Sequence, residues 1–211
     1  MRQEFRDAVH NAPRPGVLIV LGQVSFFVFL SISVALHPGF VFKLNEGGVS
    51  NYGIHLKTAI PYSLAFILCS YLSATAARHY RSSDGVARRL RQLLYTYTCL
   101  LLLTLLSTYG YTLNAELKQI HIVVGVVTII FELVASLCMY AQLNGPWDTL
   151  FIVVQLGGFV LAGLTFLGAM HLLFLGQALA DVGFALLLIH VAFNAHGSGD
   201  TLCHASTVSD P

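Results

Sequence analysis

The fold turns on the stretch TLFIVVQLGGFVLAGLTFLGAMHLLFLGQALADVGFALLLIHVAF, residues 149–193. These 45 residues hold no Lys, Arg or Glu and a single Asp, Asp181. A helix that crosses a bilayer needs ~20 mostly apolar residues. The stretch is twice that length, so it must turn back on itself. Gly168-Ala169-Met170 is the expected turn, giving spans over 149–167 and 171–193. Asn144-Gly145-Pro146 breaks the chain just ahead of it. Working outward, four further apolar segments cover 17–36, 58–77, 93–111 and 119–143. Pro61 falls in the expected first turn of the second, where a missing N–H costs nothing.

Composition agrees. Hydrophobic residues make up 56% of the chain and charged residues 10%, with a mean hydropathy of +0.74. Soluble domains carry about 25% charged residues, so this chain cannot cover a soluble surface. A soluble enzyme, a disordered chain and a nucleic-acid-binding protein are excluded together. The net charge of +1 gives no reason to invoke an acidic partner. The four cysteines form no CxxC or zinc-type spacing and read as small apolar residues. The expected class is all-α: a polytopic integral membrane protein, one bundle of six transmembrane helices over 17–193. A leader, 1–16, precedes it, and a polar tail, 194–211, with nothing to bury, is expected to be disordered. Glu4 and Asp7 interrupt the basic leader, and Leu36-His37-Pro38 is a poor cleavage site, so the first span reads as retained.

Orientation follows from Lys and Arg. Arg2, Arg6, Arg14, Arg78, Arg81, Arg88, Arg89 and Arg91 fall on one side, and Lys43, Lys57 and Lys118 on the other. Eight against three places both termini in the cytoplasm, most simply across the plasma membrane. The Arg-rich loop suits anionic lipid headgroups. Residues 37–57 form the one sizeable outer loop. Phe40, Val41 and Phe42 are too apolar to hang in water, and Gly47, Gly48 and Gly53 permit tight turns, so an ordered cap is expected there.

Ionisable groups inside a membrane mark candidate sites. Glu132 lies near the middle of the fourth span and Asp181 near the middle of the sixth. At 1.5 Å per residue they sit at ~17–20 Å and ~15 Å from the outer surface of a ~30 Å core. If the two helices touch, the carboxyls share protons, because two close like charges cannot both ionise. A charged carboxylate at the bilayer centre costs ~3 kcal/mol on insertion scales, and no Lys or Arg lies within the six segments, so at least one is expected protonated at pH 7. Gln23, Gln155 and Gln177 are candidate hydrogen-bond partners, and a purely structural role for the set is the competing reading. Gly158 with Ala162, and Gly176 with Ala180, have the spacing of close helix packing.

His37, His55, His121 and His171 collect on the outer side as a second candidate site, with His79 and His190 on the inner side. Two tiers admit a haem-b electron carrier, although His37, His55 and His79 lie in or beside loops; no cofactor and no metal site is the primary expectation. Ser33-x-x-x-His37 resembles one motif of the intramembrane zinc hydrolases that include the alkaline ceramidases. The late His-x-x-x-His pair of those enzymes is not matched by His190 and His196. No nucleophile elbow, phosphate loop or HExxH is present.

The outer loop HPGFVFKLNEGGVSNYGIHLKTAIPYSLAF, residues 37–66, is the most distinctive stretch. A Gly-rich loop with Val49-Ser50-Asn51-Tyr52-Gly53, followed by Pro61 opening the next span, resembles the damage-regulated autophagy modulator family and its bacterial six-span relatives. Asn51 stands where that family usually has an acidic residue. The resemblance implies six spans, cytoplasmic ends, and a scaffold or modulator of membrane or lipid processes, and it supplies no catalytic residue. The expected function is therefore non-enzymatic. Membrane lipids, and a protein partner or a second copy of the chain, are the expected contacts. A proton-coupled small-solute transporter using Glu132 and Asp181 is the alternative, and a haem-b carrier the third.

Overall fold

A computed structural model describes residues 15–43, 48–80, 85–111, 113–143 and 145–205 of the 211-residue chain. The elements in chain order are α1 (Pro15–Leu36), the short α2 (Gly39–Lys43), a 3-10 turn (Gly48–Ser50), the short α3 (Asn51–Ile54), α4 (Leu56–His79), α5 (Gly85–Gly110), α6 (Ala115–Leu143), α7 (Pro146–Phe166) and α8 (Leu173–Ala205). No strand occurs among the described residues. Six helices, α1 and α4 to α8, are long and apolar enough to cross a membrane. The protein is an integral membrane helix bundle. Successive spans alternate in direction, so the bundle has two ends. The cap end carries residues 36–43, 48–56, 111, 113–114 and 167–172. The arginine end carries Arg78, Arg88, Arg89 and Arg91.

Helix ends differ from the apolar segments where polar sequence continues a helix. α5 begins eight residues before 93. Its first turns bury Leu90 while Arg88 and Arg89 stay exposed. α4 begins at Leu56, so Pro61 sits inside the helix and not in its first turn. α8 runs on past 194, where the last apolar segment ends, to Ala205. Once a helix is nucleated by a buried span, each added residue costs little. The leader 1–14 and residues 206–211 lie outside the described residues. The turn between the last two spans is where the glycine placed it. Gly168 has φ +76, its N–H donates to Thr165 O at 2.9 Å, and the N–H of Ala169 donates to Leu164 O at 2.9 Å. This is a Schellman closure, which needs a left-handed residue after the helix.

Two antiparallel pairs build the bundle. α1 packs along α4, and α7 along α8. Apolar surface gains little by moving from lipid to protein, so close contact of small residues must hold such pairs. Gly158 and Gly176 are the contact points of the second pair: a Cβ at Gly158 would lie 2.6 Å from Gly176 O, and one at Gly176 would lie 2.8 Å from Gly158 O. In the first pair Gly22 lies against Cys69 and Leu72, with Phe26 edge-on to Phe66 at 5.2 Å. α8 also touches α1, α5 and α6, which makes it the central helix.

Candidate functional site

α6 is aliphatic on its outer face and polar on its inner one. Val123, Val126, Val127, Ile130, Val134 and Leu137 are exposed. His121, Glu132 and Ser136 are buried, and Thr128 is partly buried. Steps of seven, four and four residues put these four on one side of a helix. The inward face of α6 is thus a polar column running from the cap end towards the arginine end.

At its middle stands Glu132, 4% exposed. α6 packs against α8, and Asp181 of α8 lies close enough to Glu132 for the two carboxyls to interact electrostatically. Asp181 is partly buried. Both carboxyls are within electrostatic reach of Tyr97 on α5 and Cys69 on α4. Gln23 of α1 donates from Nε2 to Cys69 Sγ at 3.7 Å and faces the Tyr97 hydroxyl. Five helices therefore contribute to one polar centre. α8 has no Lys or Arg, and α6 has only Lys118, roughly 21 Å of helix from Glu132.

Between this centre and the cap, hydroxyls bond one another. Thr104 and Thr128 are 3.3 Å apart, and Tyr62 and Thr108 are 3.1 Å apart. His121 is held at both ring nitrogens, by Ser107 at 2.9 Å and by Ser50 of the cap at 2.8 Å. The described part of the cap packs down onto the bundle. Gly48, Val49, Tyr52 and Gly53 are buried, and the Val49 N–H donates to Gln177 Oε1 of α8 at 2.9 Å. Gly48 adopts φ +55 directly over Gln177, a conformation that favours glycine. Thr58 donates to Tyr52 O at 2.6 Å. Phe40 stacks on His37 at 3.9 Å and lies 4.4 Å from the His55 ring.

At the arginine end, Asp148 in the first turn of α7 meets His190 of α8. Oδ1 and Nδ1 are 2.5 Å apart, with Asp148 1% and His190 36% exposed. The other oxygen accepts the Gly145 N–H at 2.9 Å. Two turns further along α7, Gln155 lies against Gly183.

The two sets of residues singled out in the sequence are thus redistributed. Glu132, Asp181 and Gln23 belong to the polar centre. Gln177 does not join them, because the cap folds down onto it. Gln155 is fully buried two turns in from the arginine end. The four outer histidines do not converge: His37 and His55 share an aromatic cluster 5.8 Å apart, His121 joins the polar column, and His171 is exposed in the last turn. Among the described residues no three His, Cys, Asp or Glu side chains group in a way that would hold a metal. Sequence reasoning missed Tyr97, Ser136 and Asp148. The His121, Thr128, Glu132, Ser136 periodicity was the available signal for Ser136; nothing in the sequence pairs Asp148 with His190.

Comparison with family models, with curated proteins and with solved structures gives no match for this chain.

Proposed function

We propose that this protein is a proton-coupled carrier of small solutes, with Glu132 and Asp181 as its proton-binding groups. The observation that supports the reading is that these two carboxyls, on helices that pack together, lie within electrostatic reach of each other, while α8 carries no Lys or Arg and the one Lys of α6 is far along the helix. Two adjacent carboxylates cannot both stay charged in a low-dielectric interior, so they hold at least one proton between them. Release of the last proton leaves a charge that something else must compensate. Proton loss is then tied to the arrival of a polar or cationic solute group, and that tie is the core of coupled transport. Tyr97, Cys69 and Gln23 supply further polar contacts around the pair. In this reading the protein is not an enzyme. It sits in the plasma membrane with both termini cytoplasmic and the cap outside, and its arginines lie against anionic lipid headgroups.

The test is uptake into proteoliposomes loaded with a pH-sensitive dye and challenged with a panel of small cationic, zwitterionic and neutral solutes. Solute addition is expected to move protons in the wild type. Glu132→Gln and Asp181→Asn should fold and unfold at near wild-type temperatures yet move none. Unchanged coupling in both variants would overturn the reading.

A second reading, a non-enzymatic scaffold or modulator of membrane processes, draws on the cap. A folded segment pinned to α6 and α8 presents a fixed surface at the membrane boundary. Co-purification of a partner or a second copy that is lost when the cap is altered, with no proton movement, would favour it. A Soret band in purified protein would instead point to haem b.

A further inference from the structure

On α6 and α7, two buried side chains between the carboxyl pair and the arginine end have nothing to bond. Gln155 is 0% exposed, and neither its Oε1 nor its Nε2 has a partner. Ser136 is also 0% exposed, with an unpartnered Oγ. Buried polar groups in native interiors are nearly always satisfied, by ordered water where protein does not serve.

Their levels in the bundle form a series. From the Asp148–His190 contact, Gln155 is seven residues along α7 and Gly183 seven residues back along α8, roughly 10 Å in at 1.5 Å per residue. The two do meet: a Cβ at Gly183 would lie 2.7 Å from Gln155 Cβ. Asp181 is two residues deeper. On α6, the Tyr140 hydroxyl is 3.2 Å from Thr149 of α7, which sets the same zero. Ser136 is then roughly 6 Å in and Glu132 roughly 12 Å in. Orphaned polar atoms therefore occupy the levels between the pair and His190.

We propose that Gln155 and Ser136 hold a short file of buried water that joins the Glu132–Asp181 pair to His190, and that the pair exchanges protons through this file at the arginine end. The proposal rests on the reading of the pair as a proton-binding site. A carboxylate only accepts hydrogen bonds, so His190 gives its Nδ1–H to Asp148 and keeps a lone pair on Nε2. A proton leaving Glu132 or Asp181 leaves a carboxylate behind and protonates the first water. Each water passes one proton on, and the last reaches Nε2. The resulting imidazolium is paired with Asp148 until the proton goes to solvent. Besides Asp148, the Phe151 ring lies perpendicular to that of His190, with 6.2 Å between the ring centres. Towards the cap, Tyr62 with Thr108 and Thr104 with Thr128 bond each other. The unpartnered Tyr52 hydroxyl and His37 Nδ1 there lie by the Phe40 and Phe174 rings, and water needs several polar partners.

The experiment is infrared spectroscopy of the full-length protein in bilayers, switching buffer from H2O to D2O. The carboxylic-acid C=O band, assigned by its loss in the Glu132→Gln/Asp181→Asn double variant, shifts as the proton exchanges. Gln155→Leu, similar in volume and apolar, and His190→Phe are expected to slow that shift at least tenfold. Ser136→Ala provides a third, minimal change should Gln155→Leu fail to fold. Absence of the band in the wild type would sink the proton-binding reading itself. A band that is present but exchanges at the wild-type rate in all folded variants would refute the water file alone. Slowing seen only in His121→Phe would move the route to the cap and overturn the inference.

Discussion

Gly157 and Gly158 are neighbours on α7 with opposite surroundings. A Cβ at Gly158 would lie 2.4 Å from Ala180 N and 2.6 Å from Gly176 O, whereas one at Gly157 would meet nothing within 4 Å. Backbone cannot step aside as a flexible side chain can, so Gly158→Ala must push α7 and α8 apart. Overpacking of this kind costs about 1–3 kcal/mol. Gly157→Ala adds a better helix former at no steric cost. Thermal unfolding in detergent should show a lower midpoint for Gly158→Ala and an unchanged or higher one for Gly157→Ala; equal responses would mean that the close approach does not hold the pair. At the arginine end, Tyr80 closes α4 beyond the span, and its buried phenol is pushed up from 10.0 to about 12 by desolvation. Burial favours the neutral form in the folded state. That contribution is therefore complete below the unfolded value of 10.0 and is lost as pH rises towards about 12. Wild-type stability should fall more steeply than that of Tyr80→Phe across this window. Parallel curves from chemical unfolding would contradict it.

Among the elements, the cap has the most specific attachment. Its Val49 N–H depends on one side chain, Gln177 of α8. A single hydrogen bond contributes about 0.5–1.5 kcal/mol, so Gln177→Ala should speed amide exchange across 48–54 by about 2- to 10-fold while leaving α5 unchanged. Exchange that stays slow would mean that the aromatic packing of Phe40, Tyr52 and Phe174 holds the cap alone. The cap was legible in outline, since Phe40 is too apolar to be left in water, and it is 4% exposed. Residues 44–47 of that loop, and the Phe42 side chain, lie outside the described residues. The six spans were legible because each needs an unbroken apolar run. The early turns of α5 and the late turns of α8 were not, because a polar helix beyond the membrane edge leaves no hydropathy signal. The site was half legible. Glu132 and Asp181 stand out as acids in apolar runs at matching depth. The inward phase of α6 can be read from its polar stripe. α8 has no such stripe: Ala180, Phe184, Leu187, Leu188 and Val191 are all buried, as befits a helix with neighbours on several sides. Its contact with α6, and the descent of the cap onto Gln177, had to come from the three-dimensional arrangement. The 42-residue separation of Asp148 and His190 hid that pair in the same way.

The whole molecule is asymmetric along the membrane axis. At one end the cap covers the bundle, with His121 bonded at both ring nitrogens and the Tyr62–Thr108 and Thr104–Thr128 hydroxyls paired beneath it; at the other lie the arginines, the Asp148–His190 pair and the unpartnered Gln155. Six spans are an even number, so both ends of the bundle's chain emerge on one side; in the orientation we propose, from the Lys and Arg count of eight against three, that side is the cytoplasm and the cap faces outward. Two single-cysteine additions test the orientation. Leu113, 74% exposed in the short cap-end turn between α5 and α6, should react as Leu113→Cys with a membrane-impermeant maleimide on intact cells. Arg89, exposed at the arginine end, should react as Arg89→Cys only after permeabilisation. Both changes are made together with Cys203→Ser, so that the tail thiol adds no signal; the native Cys99 and Cys138 lie on span helices, out of reach of a membrane-impermeant reagent. The reverse pattern would turn the bundle over. The carboxyl pair would then be capped on the cytoplasmic side, and the proposed exchange route through His190 would open to the outside, reversing the direction in which a proton gradient would drive the proposed carrier.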